Sequence, residues 1–121
     1  MKLPIAIILT VLSFNTMEAQ RKETFLYELE LLEKFKIRAQ WTHKEHEVQN
    51  AHVHYLDSLT KSGKIFLAGI KQQGLKDHMG LVILNVDTYK EAMEIVQNDP
   101  SIKLGMMTGS IEKFNIFFHK N

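Results

Sequence analysis

The earliest regular pattern in the chain is an alternation. In "TFLYELELLEKF", residues 24–35, Phe25, Tyr27, Leu29 and Leu31 alternate with Leu26, Glu28, Glu30 and Leu32. A period of two with aromatic enrichment predicts a strand. From Thr42 to Ser62 the period becomes helical. Val48, His52, Tyr55, Leu56 and Leu59 fall at spacings of three and four and draw one apolar stripe along an amphipathic helix. Gly63 sits where a helix C-cap belongs, and Lys61 suits the C-terminal end of the helix dipole.

Two short apolar runs follow, "KIFLAGI" and "GLVILNV", joined by the polar loop "KQQGLKDHM". The second run, Gly80 to Val86, is continuous rather than alternating, which predicts a strand covered on both faces. Asp87 or Thr88 then caps a second helix, "YKEAMEIVQN", with Tyr89, Ala92, Met93 and Val96 as its inner stripe. Asn98 and Asp99 lead into Pro100, which ends that helix. After "IKLGMMTG", the segment "SIEKFNIFFHK" is expected to be the last strand. No internal repeat, low-complexity tract or linker interrupts the chain past residue 24.

The order β-α-β-β-α-β is the split β-α-β plan of an α+β, ferredoxin-like fold, a four-stranded antiparallel sheet with two helices on one face. The other face of the sheet is then bare. Strands three and four carry apolar residues on both sides, among them Leu81, Val82, Ile83 and Leu84, and Ile116, Phe117 and Phe118. An exposed apolar face of that size asks for a cover, and the simplest is a second copy, sheet against sheet. A homodimer through the open sheet face is therefore expected.

The first residues follow a different logic. "MKLPIAIILTVLSFNTMEAQ" opens with Lys2, runs apolar from Leu3 to Leu12 and turns polar up to Ala19. That layout predicts a secretory signal peptide, residues 1–19, cut between Ala19 and Gln20, because the apolar run is short for a comfortable membrane span. The alternative is an uncleaved anchor. The expected mature product is soluble and periplasmic or secreted, with no stable membrane association. With no cysteine in 121 residues, such a protein holds together by packing alone, helped by oligomerisation. The net charge is +1 and there is no block of Lys or Arg, which argues against nucleic acid as a partner.

The chemistry gathers around the histidines. His52 and His54 are two residues apart, about 200° around a helix axis, so they cannot share a face. His52 lies on the stripe, one turn after Val48 and one turn before Leu56, while His54 shares the opposite face with His43, Glu47 and Asn50. An inward imidazole needs a hydrogen-bond partner. It is either a core histidine bonded to a carbonyl or a general acid or base oriented by a carboxylate. Of the carboxylates, Asp87 is read as a cap, Asp57 lies on the wrong face of the first helix, and Asp77 is in a loop beside His78. Asp99, at the end of the second helix, comes near the first if the two pack side by side. Its other reading is a plain helix-ending Asp-Pro turn.

The stretch "HVHYLDSLTKSGKIFLAG" has a histidine followed at four, seven and eleven positions by Leu56, Leu59 and Gly63. With "GLVILNVDTYKEAMEIVQNDPSIKLG" it resembles the YCII-related domain family across residues 24–118. The resemblance implies a dimeric ferredoxin-like α/β barrel and a site built on a His–Asp dyad, which carries over to His52 and Asp99. The family commonly has Ala-Gly-Pro after the second strand, where this chain has Ala68-Gly69-Ile70. Chains related to this family include enzymes that eliminate chloride from chlorinated aromatic or lactone substrates.

Three functions are compatible with these residues. The first is a lyase or isomerase without cofactor, with His52 moving a proton on a small organic substrate and Asp99 orienting the ring. The scattered glycines form no phosphate-binding fingerprint. The second is a non-catalytic small-ligand-binding or interaction domain in which the pair is structural. The third is a surface metal clamp using His43, His46, Glu47 and His54, although these have no recognised zinc spacing.

Overall fold

Antiparallel pairing around the first strand organises the molecule, whose computed structural model describes residues 22–71 and 79–120. The strands are β1 Glu23–Leu31, β2 Ile65–Ile70, β3 Met79–Val86 and β4 Met107–Lys113, and the helices are α1 His43–Lys61, α2 Tyr89–Asn98 and the one-turn α3 Pro100–Lys103. The sheet order is β2-β3-β1-β4, with every neighbouring pair antiparallel. This is the four-stranded α+β, ferredoxin-like arrangement that the element order predicts.

The alternation in β1 sets the two faces. Phe25, Tyr27, Leu29 and Leu31 are buried against the helices, and the register places Leu84, Val82 and Gly80 of β3 on the same side. Val48 of α1, Ala92, Ile95 and Val96 of α2, and Met106 close the core over them. A Glu45 carboxylate oxygen accepts both the Thr42 N–H and hydroxyl at 2.8 Å and anchors the start of α1. Gly63, at φ +83°, turns the chain out of α1 into β2, a conformation that glycine adopts without a Cβ clash. Before α1, two 3₁₀ turns at Glu33–Phe35 and Arg38–Gln40 are stitched by the Trp41 indole, which donates to the Phe35 carbonyl at 2.7 Å. Among the described residues, no helix is long and apolar enough to cross a membrane.

Two details differ from expectation. The last strand starts and ends earlier than the segment 110–120. β1 begins at Glu23 and its last partner on β4 is Lys113, opposite Phe25, so only Thr24 and Glu23 of β1 remain beyond Lys113. The chain instead leaves the sheet, with the Phe114 N–H bonded to the Thr24 carbonyl at 3.0 Å. Ile116 is then half-buried, while Phe117 and Phe118 project into solvent rather than lying in a strand. In α2 the inner stripe is Ala92, Ile95 and Val96; Met93 is half-buried, and Tyr89 sits at the rim, edge-on to Phe25 at 5.9 Å.

The open face of the sheet is mixed in character. The register puts Leu26, Glu28 and Glu30 of β1, Leu81 and Ile83 of β3, and Leu67 of β2 there, with Thr108, Ser110 and Glu112 on the β4 edge. Its apolar half lies over β2 and β3. Residues 1–19, where a signal peptide is expected, lie outside the described residues.

Candidate active site

Position 52 faces inward because the α1 stripe places it over the sheet, where only 6% of the residue is exposed. Its Nδ1 lies 2.8 Å from Oδ1 and 3.0 Å from Oδ2 of Asp99, which is fully buried. An ionised carboxylate can only accept, so Nδ1 carries a hydrogen, and in the neutral ring Nε2 then has the lone pair. His54, on the other face, is exposed.

Asp99 reaches this position through the local chain. It ends α2 and, one residue later, caps α3: its Oδ1 accepts from the Ser101 N–H and hydroxyl, each at 2.9 Å, with Pro100 at the first helical position. α3 packs against α1, and that contact is what brings the carboxylate to His52. The far side of the carboxylate is held by β1, where the Tyr27 hydroxyl donates to Oδ2 at 2.8 Å. Four donors from three elements, α1, β1 and α3, therefore converge on one buried carboxylate.

The electrostatics follow from that packing. Burial alone would raise the Asp99 carboxyl, but the hydrogen bond and charge of His52, the Ser101 N–H and the Tyr27 hydroxyl outweigh it and hold it below the usual carboxylate range. Tyr27 moves the other way: burial first, then the charge of Asp99, holds its phenol protonated far above its ordinary value. Tyr55, whose hydroxyl donates to the Ile95 carbonyl at 2.7 Å, is pushed up to about 12 by burial and the same charge.

The His52 ring lines a cavity of about 240 Å³ between α1 and the sheet. Leu29, Leu31, Val82 and Met107 supply apolar walls, Ala68 to Ile70 of β2 forms one side, and Gln49 stands one turn before His52. Drug-sized ligands occupy pockets of roughly 300–1,000 Å³, and a cavity of roughly 150 Å³ holds benzene. The site therefore suits one substituted ring or a molecule of similar bulk. A wider, shallower concavity of about 710 Å³ lies between Phe66, Asn85 and the C-terminal segment. It contains neither His52 nor Asp99 and has no comparable buried pair, so the smaller cavity is the chemical candidate.

The histidine-rich outer face of α1 does not assemble a clamp. His43 Nε2 pairs with Glu47 at 2.8 Å, while His46 turns edge-on to Trp41 at 5.2 Å. Among the described residues no three His, Asp or Glu side chains converge as metal ligands.

Two partners of the pair escape a reading of the sequence. Tyr27 is visible as an inward residue of β1, and a buried tyrosine hydroxyl needs an acceptor. Ser101 follows Asp-Pro in the pattern of an N-cap with proline at N1. Both signals were present, but neither identifies Asp99 as the shared partner across 72 residues of chain from Tyr27.

Fold and site together define a small α+β protein with an imidazole–carboxylate pair set into the wall of an apolar, ring-sized pocket. The chain belongs to the YCII-related domain family, whose profile matches residues 19–115. No curated protein matches it in sequence. Among solved structures it is similar to 5-chloro-2-hydroxyhydroquinone dehydrochlorinase, TftG, from Burkholderia phenoliruptrix AC1100, solved in complex with 2,5-dihydroxybenzoquinone. The match has a TM-score of 0.58 and 21% identity, and covers 76% of this chain and 93% of the enzyme's. At that identity the likeness is one of fold.

Proposed function

We propose that the protein is an exported small-molecule lyase or isomerase in which Nε2 of His52 moves a proton and Asp99 fixes the ring. Asp99 holds the hydrogen on Nδ1, leaving the Nε2 lone pair as the base in the wall of an apolar pocket. Nε2 takes a proton from a substrate carbon or hydroxyl. In an elimination, the electron pair left behind forms a new double bond as a leaving group departs with its bonding pair. In an isomerisation, the imidazolium returns the proton at another carbon. The residues this scheme uses are all within the chain, and no metal or nucleotide enters it. The substrate class is a small aromatic or lactone compound.

The observation that carries this reading is the Nδ1–Asp99 hydrogen bond at 2.8 Å beside a ring-sized pocket. Chloride release from 5-chloro-2-hydroxyhydroquinone and a panel of chlorinated phenols and lactones tests it. Turnover by the native protein that disappears in His52→Gln supports the scheme; turnover surviving that change sinks it.

A second reading has an observation of its own. Asp99 also caps α3 and holds Tyr27, so the pair serves as scaffold in a ligand-binding domain without catalysis. On that reading His52→Gln lowers the melting temperature and no substrate turns over.

The assembly and address are part of the same proposal. The part of the open face around Leu26, Leu67 and Leu81 pairs with that of a second copy, and residues 1–19 direct export and are removed. Sedimentation of the purified domain and the N-terminal mass of the exported protein check the two.

A further inference from the structure

One buried titratable group has no role in the scheme above. Tyr27 is fully buried, and its hydroxyl donates to Oδ2 of Asp99 at 2.8 Å. A phenylalanine would fill nearly the same space, so what the hydroxyl adds is a donor, and it adds it to a particular oxygen. Oδ1 already accepts from the Ser101 N–H and hydroxyl, each at 2.9 Å, and lies 2.8 Å from Nδ1 of His52. Among the described residues Oδ2 has two partners: Tyr27, and the same Nδ1 at 3.0 Å. Without the phenol, that oxygen would have the His52 ring alone. The carboxylate has no exposed side from which water could take over.

The Tyr27 ring is held in place. Gly109 of β4 leaves the room that its edge fills: a Cβ there would stand 2.8 Å from Cε1 of Tyr27, with Val96 and Ile102 close to the same spot. Tyr55, the other phenol that feels the Asp99 charge, donates to the Ile95 carbonyl instead. The cavity walls from β2, β3 and β4 bring no titratable group. Among the described residues, Asp99 and these two phenols are therefore the ionisable groups packed around His52.

We propose that Tyr27 is a positioning residue for His52: its hydroxyl occupies Oδ2 of Asp99, moderates the charge that the carboxylate turns on the ring, and so keeps Nε2 free to take a proton. The pull of a carboxylate on an imidazolium depends on the charge left on its oxygens, and each donor draws some of that charge away. Asp99 with three such bonds besides His52 still fixes the Nδ1 hydrogen. It does less to stabilise the doubly protonated ring, which has no lone pair to act as a base. The chemical consequence rests on the proposed function; the coupling of the two side chains does not.

The pH titration of the His52 ring, followed by NMR through its Cε1–H in the native protein and in Tyr27→Phe, tests this. A carboxylate that accepts two or three hydrogen bonds can fall from about 3.9 to below about 2, roughly 0.6–1 pH unit per bond. The ring shares part of that, so the His52 midpoint should rise in Tyr27→Phe by about 0.5 pH unit, about a threefold gain in proton affinity. A phenol that only fills and satisfies the core lowers the melting temperature and leaves the midpoint where it is; an unmoved or lowered midpoint overturns the assignment. The native protein supplies a second reading that needs no variant. Because coupling is reciprocal, the ¹³C resonance of Tyr27 Cζ should move through the same midpoint as the His52 ring, and a Cζ that ignores it overturns the assignment too. Neither measurement involves substrate, so the two proposals fail separately. Turnover with an unmoved midpoint sinks only this one, and a raised midpoint with no turnover sinks only the proposed function. Where both hold, the acid limb of kcat/KM should move up with the ring in Tyr27→Phe.

Discussion

Replacing Asp99 with asparagine changes one atom and disturbs four hydrogen bonds. In the native protein both carboxylate oxygens only accept, from Nδ1 of His52, the Ser101 N–H and hydroxyl, and the Tyr27 hydroxyl. An asparagine can keep its oxygen at the Oδ1 position, 2.8 Å from Nδ1 of His52 and accepting from Ser101, but its NH₂ then stands 3.0 Å from Nδ1 and faces the Tyr27 hydroxyl. The expected rearrangement is that the NH₂ donates to Nδ1, the His52 hydrogen moves from Nδ1 to Nε2, and the Tyr27 hydroxyl turns to accept and leaves its own hydrogen buried. Hydrogen bonds to a charged group contribute about 1.5–3 kcal/mol each, and an orphaned buried donor costs about 1–3 kcal/mol. Because the amide retains part of the set, the expected loss is about 2–4 kcal/mol, within the 5–15 kcal/mol typical of a domain, so the variant still folds. The consequence for the proposed chemistry is larger: with hydrogen on Nε2 the proposed base is gone, and a comparable change in a Ser-His-Asp triad costs about 10⁴ in kcat. Long-range ¹H–¹⁵N correlation of the His52 ring reads the tautomer directly, and urea unfolding reads the stability. A variant whose Nε2 stays unprotonated and whose stability falls by less than about 0.5 kcal/mol, the level of a neutral surface change, would refute the reasoning.

Tyr27→Phe should cost about 1.5–3 kcal/mol in urea unfolding and leave the His52 tautomer as it is, since only one donor to Oδ2 is lost. Gly109→Ala should destabilise by about 1–3 kcal/mol, because the new Cβ would meet Cε1 of Tyr27 at 2.8 Å and that ring is packed and tethered; a thermal melt unchanged to within a degree would contradict it. The pH dependence has a definite sign. The folded Asp99 carboxyl lies below its unfolded value of about 4, so its contribution is fully present above that value and drains away as the pH falls through the folded one. Urea midpoints taken from pH 6 down to 2 should therefore fall more steeply for the native protein than for Asp99→Asn, and parallel curves would contradict the assignment.

Much of the fold is legible because its signals are local. The alternation of Phe25, Tyr27, Leu29 and Leu31 fixes which side of β1 is buried, and spacings of three and four on α1 pick His52 over His54 for the interior. The boundaries of α2 follow from Thr88, which caps it by accepting from the Glu91 N–H, and from Pro100. The site is less legible, since it depends on where α3 packs. Reading Asp99 as the end of one helix was correct but incomplete, because the same residue begins the next one, and a one-turn helix is too short to announce itself by periodicity. The C-terminal segment misleads for the opposite reason. "NIFFHK" has strand-like composition, but strand formation needs a partner, and β1 has all but run out by then.

The double duty of Asp99 has a consequence for how this protein tolerates change over generations. A residue that closes one helix, opens another and holds a buried phenol is retained for folding alone, whatever becomes of the chemistry. His52 carries a lighter obligation: among the described residues it hydrogen-bonds only the carboxylate, and a glutamine there can still donate. In a descendant copy that stops acting on its ligand, the histidine is therefore free to drift while the aspartate stays. Presence of the aspartate then says only that the copy folds, and the histidine becomes the position whose loss marks a silent site.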